Sequence, residues 1–450
     1  MGNWYEEAVF YHIYPLGLTG APRVNNKEAG DGFEKLKLWI PHMKEMGFTA
    51  LYIGPLFESS THGYDTKDYR QVDVRLGKNE DFKEFVALCH KAGIRVVVDG
   101  VFNHTGREFF AFQDIQANRE NSRYKDWYKG INFWGNTRYN DGFGYEAWRN
   151  CFELVNLNLW NQEVKDYLFD VIRFWIDEFD IDGIRLDCAD CLDFEFMKQM
   201  RRITAEKKAD FWLMGEVIHG DYSRWANDEV LHSVTNYELH KGLYSGHNDH
   251  NYFEIAHTVR RLSDANGGLC KGRKLYSFTD NHDVERLMSK LARKEDYYSV
   301  QMLLYTLPGI PSIYYGSEWG IEGRKENGDD GPLRPAIDIT KKAEMENEYS
   351  RYIAKLGEIH RENPELSYGM YRELMLKNRQ YVFGRYLDNS MVMIAVNNDE
   401  EAASVEAAAG FLAGRAVDLF TGEEIAVGEN GRVHLTIPAH RGCMVRIEKK

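Results

Sequence analysis

Apolar residues along the 450-residue chain gather into short β-like runs separated by stretches of helical period. The β-like runs cover residues 8–14, 50–57, 94–102, 183–188, 211–217, 233–239, 275–279 and 310–315. Between them, Phe82, Phe85, Val86 and Cys89 fall at i, i+3, i+4 and i+7. Val164, Tyr167, Leu168 and Val171 repeat that spacing and continue it to Trp175 and Phe179, which predicts helices with one buried stripe. Strands alternating with helices in this number predict an α/β fold, a (β/α)8 TIM barrel, with a doubly wound sheet as the alternative.

Two regions depart from the alternation. The gap between the third and fourth runs is longer than the usual repeat, and residues 103–150 within it are rich in Asn, Gly, Arg, Trp and Tyr; a small loop-rich subdomain inserted after strand three is expected there. Beyond a helix-like stretch at 344–361 come alternating runs at 380–386, 391–396 and 432–437, with turn residues at Asp388-Asn389 and Glu429-Asn-Gly431. These predict a C-terminal antiparallel β-sandwich. The expected division is a barrel over 1–102 and 151–365, an inserted subdomain over 103–150 and a sandwich over 366–450.

Composition narrows the function classes. With 43% hydrophobic and 28% charged residues the chain has the balance of a soluble globular protein. Its net charge of −14 argues against a nucleic-acid surface. No stretch has the roughly 18 apolar residues of a membrane span, and Met1-Gly-Asn-Trp-Tyr-Glu-Glu lacks the basic and apolar regions of a signal peptide. No membrane partner is expected. The six cysteines are scattered, which suits reduced thiols in a cytoplasm. Cys188-Ala-Asp-Cys191 has the C-x-x-C form but no second pair to complete a zinc site. Aromatic residues reach 14%, with 27 Tyr and 10 Trp, a content that fits large cores and equally a surface on which sugar rings stack.

The candidate chemistry lies at the strand ends. Strand three ends in Asp99-Gly-Val-Phe-Asn-His104, strand four in Asp182-Gly-Ile-Arg-Leu-Asp187, strand five in Gly215-Glu-Val217 and strand seven in Phe278-Thr-Asp-Asn-His-Asp283. Parallel barrel strands bring these ends to one face, where barrel active sites lie, so Asp187, Glu216 and Asp283 would converge with His104 and His282. Arg185 and Asp187 are two apart and would share the lumen face, where the guanidinium favours an ionised Asp187. Glu216, near two acids in a partly desolvated pocket, would stay protonated. An ionised carboxylate facing a protonated one is the arrangement of a retaining glycosidase.

These four segments resemble the signature regions of the α-amylase family of glycoside hydrolases (glycoside hydrolase family 13), in the family's order. His62-Gly-Tyr-Asp-Thr-Lys-Asp68 and Tyr314-Tyr-Gly-Ser-Glu-Trp-Gly320 extend the similarity. The resemblance implies that Asp187 is the nucleophile, Glu216 the general acid and base, and Asp283 the third acid that binds sugar hydroxyls. It further implies a stacking role for Tyr64, hydroxyl contacts for His104 and His282, and orientation of Asp187 by Arg185. Asp330-Gly-Pro-Leu-Arg334 matches a family segment that contacts substrate, with its proline displaced by one. Asp187-Cys-Ala-Asp190 and Leu154-Val-Asn-Leu-Asn158 are nearest to the neopullulanase and cyclomaltodextrinase branch, whose extra N-terminal domain is not expected here because strand one starts by residue 8.

The function implied is hydrolysis of α-1,4-glucosidic bonds in maltooligosaccharides or α-glucans in the cytoplasm. The alternatives are a 4-α-glucanotransferase working through the same intermediate and a non-catalytic carbohydrate-binding homologue. No cofactor is expected to be required. Many family members hold calcium near the position of Asn103, but the acids Asp114, Glu120, Asp126 and Asp141 are dispersed among basic residues, and calcium needs about six to eight oxygen ligands. Asn103 is expected instead to bond local backbone groups and hold the loop that presents His104.

Overall fold

The computed structural model describes residues 2–428 and 431–450. Its centre is a sheet of eight parallel strands: β1 (Phe10–Ile13), β2 (Ala50–Ile53), β3 (Arg95–Gly100), β4 (Gly183–Leu186), β5 (Trp212–Gly215), β6 (Ser233–Val234), β7 (Tyr276–Phe278) and β8 (Ile310–Tyr314). The order β6-β5-β4-β3-β2-β1-β8-β7 wraps round until a parallel bridge between Thr235 and Tyr276 brings its two ends together. The fold is the expected (β/α)8 barrel rather than an open doubly wound sheet.

Strand periodicity sorts the side chains. Phe10, Tyr52, Val97, Trp212, Tyr276 and Ile310 point inward and form one apolar cluster. Their neighbours in sequence, among them Tyr11, Leu51, Val96, Val98 and Leu213, join the larger core beneath the helices. Two residues further along the same inward rows, the lumen turns polar at His12, Asp99 and Arg185, all buried. The barrel is thus plugged with apolar rings below and lined with charge at the carboxyl ends of its strands.

The run at 233–239 is strand only at Ser233–Val234; a helix begins at Tyr237. The Asn236 side chain accepts from the Leu239 amide at 3.0 Å, an N-cap that stops the strand in spite of the apolar residues beyond it. The excursion after β3 is tied at its base by antiparallel pairing of His104–Gly106 with Leu154–Asn156. Backbone bonds from Lys129 N to Asn156 O (3.0 Å) and from Asn158 N to Trp127 O (2.7 Å) extend it to the helix Gln162–Phe179, capped by Asn161. Residues 154–158 are thus bonded to the excursion.

The C-terminal strands Met370–Leu376, Gln380–Leu387, Ser390–Asn397, Gly442–Lys449 and Ala413–Asp418 form an antiparallel sheet in that order. It packs on a two-stranded sheet, Ala403–Ala408 with Arg432–Ile437, through Val382, Met393, Val405, Leu435 and Val445. The turn expected at Glu429-Asn-Gly431 lies partly outside the described residues.

Candidate active site

Register decides the position of the two central carboxylates. Leu186 pairs with Gly215 across β4 and β5, and the next amides stay in the ladder, Glu216 N on Leu186 O at 2.9 Å and Asp187 N on Gly100 O at 3.1 Å. Asp187 and Glu216 are therefore cross-strand neighbours facing the same lumen, at about the spacing of adjacent strands. One carboxylate oxygen of Asp187, one of Glu216 and the Cys188 sulfur lie within 4.8 Å of one another. Gly215 permits this: a Cβ there would sit 2.7 Å from the Ala189 Cβ, in the turn that follows Asp187.

Arg185 is the counter-charge. Its Nη1 donates to Asp187 Oδ1 and to Asp99 Oδ1, each at 2.9 Å, and its Nη2 lies 2.9 Å from Glu216 Oε1. Asp99 also accepts from Tyr52 (2.8 Å) and Tyr64 (3.0 Å). Gly54 makes room for it, since a Cβ at Gly54 would come within 2.3 Å of the Asp99 Cβ. Burial pushes Glu216 up to about 7, with the Asp187 and Asp283 charges acting the same way and Arg185 opposing them. Tyr237 donates to Glu216 Oε1 at 3.3 Å and the Cys188 amide to Oε2 at 3.2 Å.

Asp283 has the opposite environment. Burial acts upward on it, but His282 and Arg334 outweigh burial and hold it well below the usual carboxylate range. His282 Nε2 is 3.0 Å from Asp283 Oδ2 and also meets the Tyr64 hydroxyl. Arg334 Nη2 donates to Asp283 Oδ1 at 2.9 Å and to Asp330 Oδ2 at 3.0 Å. His104 is buried and lowered to about 3 by desolvation, with His62 second. It is neutral, and its Nδ1 meets the Asn103 amide nitrogen at 3.1 Å, which leaves Nε2 as the N–H donor.

These groups line one cleft of about 1170 Å³, walled by Tyr14, Tyr64, Trp148 and Tyr237 and floored by Asp187, Glu216 and Asp283. Tyr64, His104, Asp330 and Arg334 lie on it directly; Arg185 and His282 lie behind it as buried partners of the acids. Asp280, the other acid of strand seven's end, does not join them. It accepts from Ser317 Oγ and the Leu287 amide at 2.9 Å and ties the loops after β7 and β8 together.

Near Asn103, the side chains that calcium could call on bond to other protein groups. Asn103 turns its amide nitrogen to the side chains of His104 and Asn156 (3.4 Å) rather than to backbone groups. Asp141 is engaged by Arg107 and Gln116, and Asp114 by Asn118 and Ser122. The cluster of Asp187, Cys188 and Glu216 has metal-ligand character, but the Arg185 guanidinium already lies 2.9 Å from an oxygen of each carboxylate.

A family model described as the alpha amylase catalytic domain matches residues 24–364. The chain belongs to the alpha-amylase family. It is 30% identical over 429 residues to the cyclomaltodextrinase of Thermoanaerobacter pseudethanolicus, covering 89% of this chain and 71% of that protein. It is 30% identical over 474 residues to neopullulanase 2 of Thermoactinomyces vulgaris, covering 98% and 78%. Among solved structures, a cyclomaltodextrinase superposes with a TM-score of 0.87 at 25% identity, over 99% of this chain and 78% of that one. A debranching enzyme from Nostoc punctiforme gives 0.82 at 26% identity, over the full length of both. The chain is an amylase-type glycosidase.

Reading motifs alone missed several side chains of this glycosidase. Asp99 opens the first signature segment, and strand alternation from Val97 places it in the lumen beside Arg185. Tyr52 follows by the same alternation on β2. Tyr237, Trp148 and Cys188 carry no pattern of their own; they arrive from a helix start, from the excursion and from a left-handed turn.

Proposed function

We propose that this glycosidase is a retaining hydrolase of α-1,4-glucosidic bonds in maltooligosaccharides and α-glucans. The observation that carries the proposal is the approach of Asp187 and Glu216 oxygens to within 4.8 Å. Retaining enzymes hold their carboxyl groups about 5–5.5 Å apart, whereas inverting ones leave about 6.5–9.5 Å for a water. The names of the relatives, cyclomaltodextrinase, neopullulanase and intracellular maltogenic amylase, support an α-glucan substrate and a cytoplasmic setting. All six cysteines are free, which agrees with that setting. Among the described residues no helix is long and apolar enough to cross a membrane.

In the first step Glu216 gives its proton to the glycosidic oxygen. A bond forms between an Asp187 oxygen and the anomeric carbon as the glycosidic carbon–oxygen bond breaks. In the second step the Glu216 carboxylate takes a proton from water, and that water's oxygen displaces Asp187. Asp283, kept ionised by His282 and Arg334, accepts sugar hydroxyls and faces the positive charge that develops at the ring. Arg185 fixes Asp187 through Oδ1, while Tyr64 offers a ring face to sugar. No step calls on a metal, and calcium is not required in this reading.

Proton NMR of maltotriose hydrolysis tests the mechanism. Two inversions restore configuration, so the α-anomer appears first and relaxes toward the equilibrium mixture. A β-anomer appearing first overturns the retaining reading.

A further inference from the structure

The carboxylate of Asp187 has two unlike donors. Arg185 holds Oδ1 at 2.9 Å, and the Cys188 thiol approaches Oδ2 at 3.2 Å. Among the described residues no other side chain donates to it. Cys188 lines the cleft and has a left-handed backbone, φ 46° and ψ 46°, which a residue with a Cβ adopts at a cost. That turn aims its amide at Glu216 Oε2 (3.2 Å) and its sulfur at Asp187, so one strained residue touches both central acids.

We infer that the Cys188 thiol is a working part of the site: it donates to Asp187 Oδ2, orients the nucleophile and leaves Oδ2 as the attacking oxygen. The inference rests on the proposed role of Asp187 and deepens it. A guanidinium bond is charge-assisted, while a thiol is a weak donor. Oδ1 keeps Arg185 as it becomes the carbonyl oxygen of the glycosyl ester. Oδ2 forms the bond to the anomeric carbon and gives up only the weaker contact. The thiol proton stays on sulfur throughout. Burial, reinforced by the Asp187 and Glu216 charges, raises the thiol's pKa far above neutrality, so the donor persists across the working range.

The test compares Cys188→Ala and Cys188→Ser with wild type by kcat/KM for a 2-chloro-4-nitrophenyl α-maltotrioside between about pH 4 and 8. This leaving group departs without protonation, so the acid limb reports the nucleophile. Loss of a hydrogen bond to the ionised form moves the alanine variant's limb upward by about half a pH unit or more, a loss of about threefold per half unit on the acid side of the limb. The stronger hydroxyl donor of serine moves the limb below the wild-type position. A folded alanine variant with an unmoved limb overturns the inference, because a packing role lowers rates without shifting titration. If alanine prevents folding, the serine variant decides, and a limb unmoved or raised there overturns it. A wild type that releases no nitrophenol would count against the hydrolytic reading beneath it.

Discussion

Replacing Glu216 by Gln is expected to remove activity and, at neutral and alkaline pH, to make the protein more stable. In the folded protein this carboxyl titrates at about 7, against about 4.5 when unperturbed. Between those values the folded state holds a proton that the unfolded state has released, so stability falls as pH rises through the window. Each tenfold difference in proton affinity between the two states is worth about 1.4 kcal/mol, and the total amounts to roughly 3 kcal/mol once both pKa values are passed. A neutral amide copies the protonated acid: its oxygen accepts from Arg185 as Glu216 Oε1 does at 2.9 Å. Below about pH 4.5 the variant and wild type should therefore melt together, and at pH 8 the variant should melt a few degrees higher. Differential scanning calorimetry at the two pH values reads this directly. Activity has the matching signature: wild-type kcat/KM on maltotriose falls about tenfold between pH 6 and pH 8 as Glu216 loses its proton. Equal melting differences at both pH values, or a variant less stable than wild type at pH 8, would refute the argument that burial keeps Glu216 protonated.

Asp187→Asn should fold with wild-type circular dichroism and lose maltotriose turnover by several powers of ten, about 5 kcal/mol or more of barrier, because the covalent route is gone; normal turnover in a folded variant would remove Asp187 from its role. Dialysis against EDTA should leave both activity and melting temperature unchanged; a large loss of both, restored by calcium alone, would establish a structural calcium and overturn this expectation.

The barrel and its three acids are legible in the sequence because both depend on short, repeated patterns. Strand alternation fixes which residues enter the lumen, and parallel strands deliver their ends to one face, so Asp99, Arg185, Asp187 and Glu216 follow from period two once the strands are found. What is not legible depends on single residues settling a local competition. Asn236 caps a helix and shortens β6, although Tyr237 and Leu239 continue an apolar run. The excursion closes at Asn161 because of backbone bonds between distant segments, and no local pattern records those. Cys188 is hidden in a weak C-x-x-C match, since its function follows from a left-handed turn that nothing in the neighbouring residues leads one to expect of a cysteine.

The division of labour among the acids follows from the same geometry. One guanidinium touches Asp99, Asp187 and Glu216, and a single positive charge cannot stabilise three negative ones equally in a dry lumen. Asp187 shares one guanidinium nitrogen with Asp99, while Asp283 has both Arg334 and His282 beside it. Glu216 meets the other guanidinium nitrogen, but its burial, reinforced by the charges of Asp187 and Asp283, outweighs Arg185, and protonation is its least costly response. In the proposed mechanism the proton for the leaving group is therefore stored on the acid whose burial its one cation does not offset. A second cation placed against Glu216 would stabilise the site and lower its pKa, and in doing so would remove the acid.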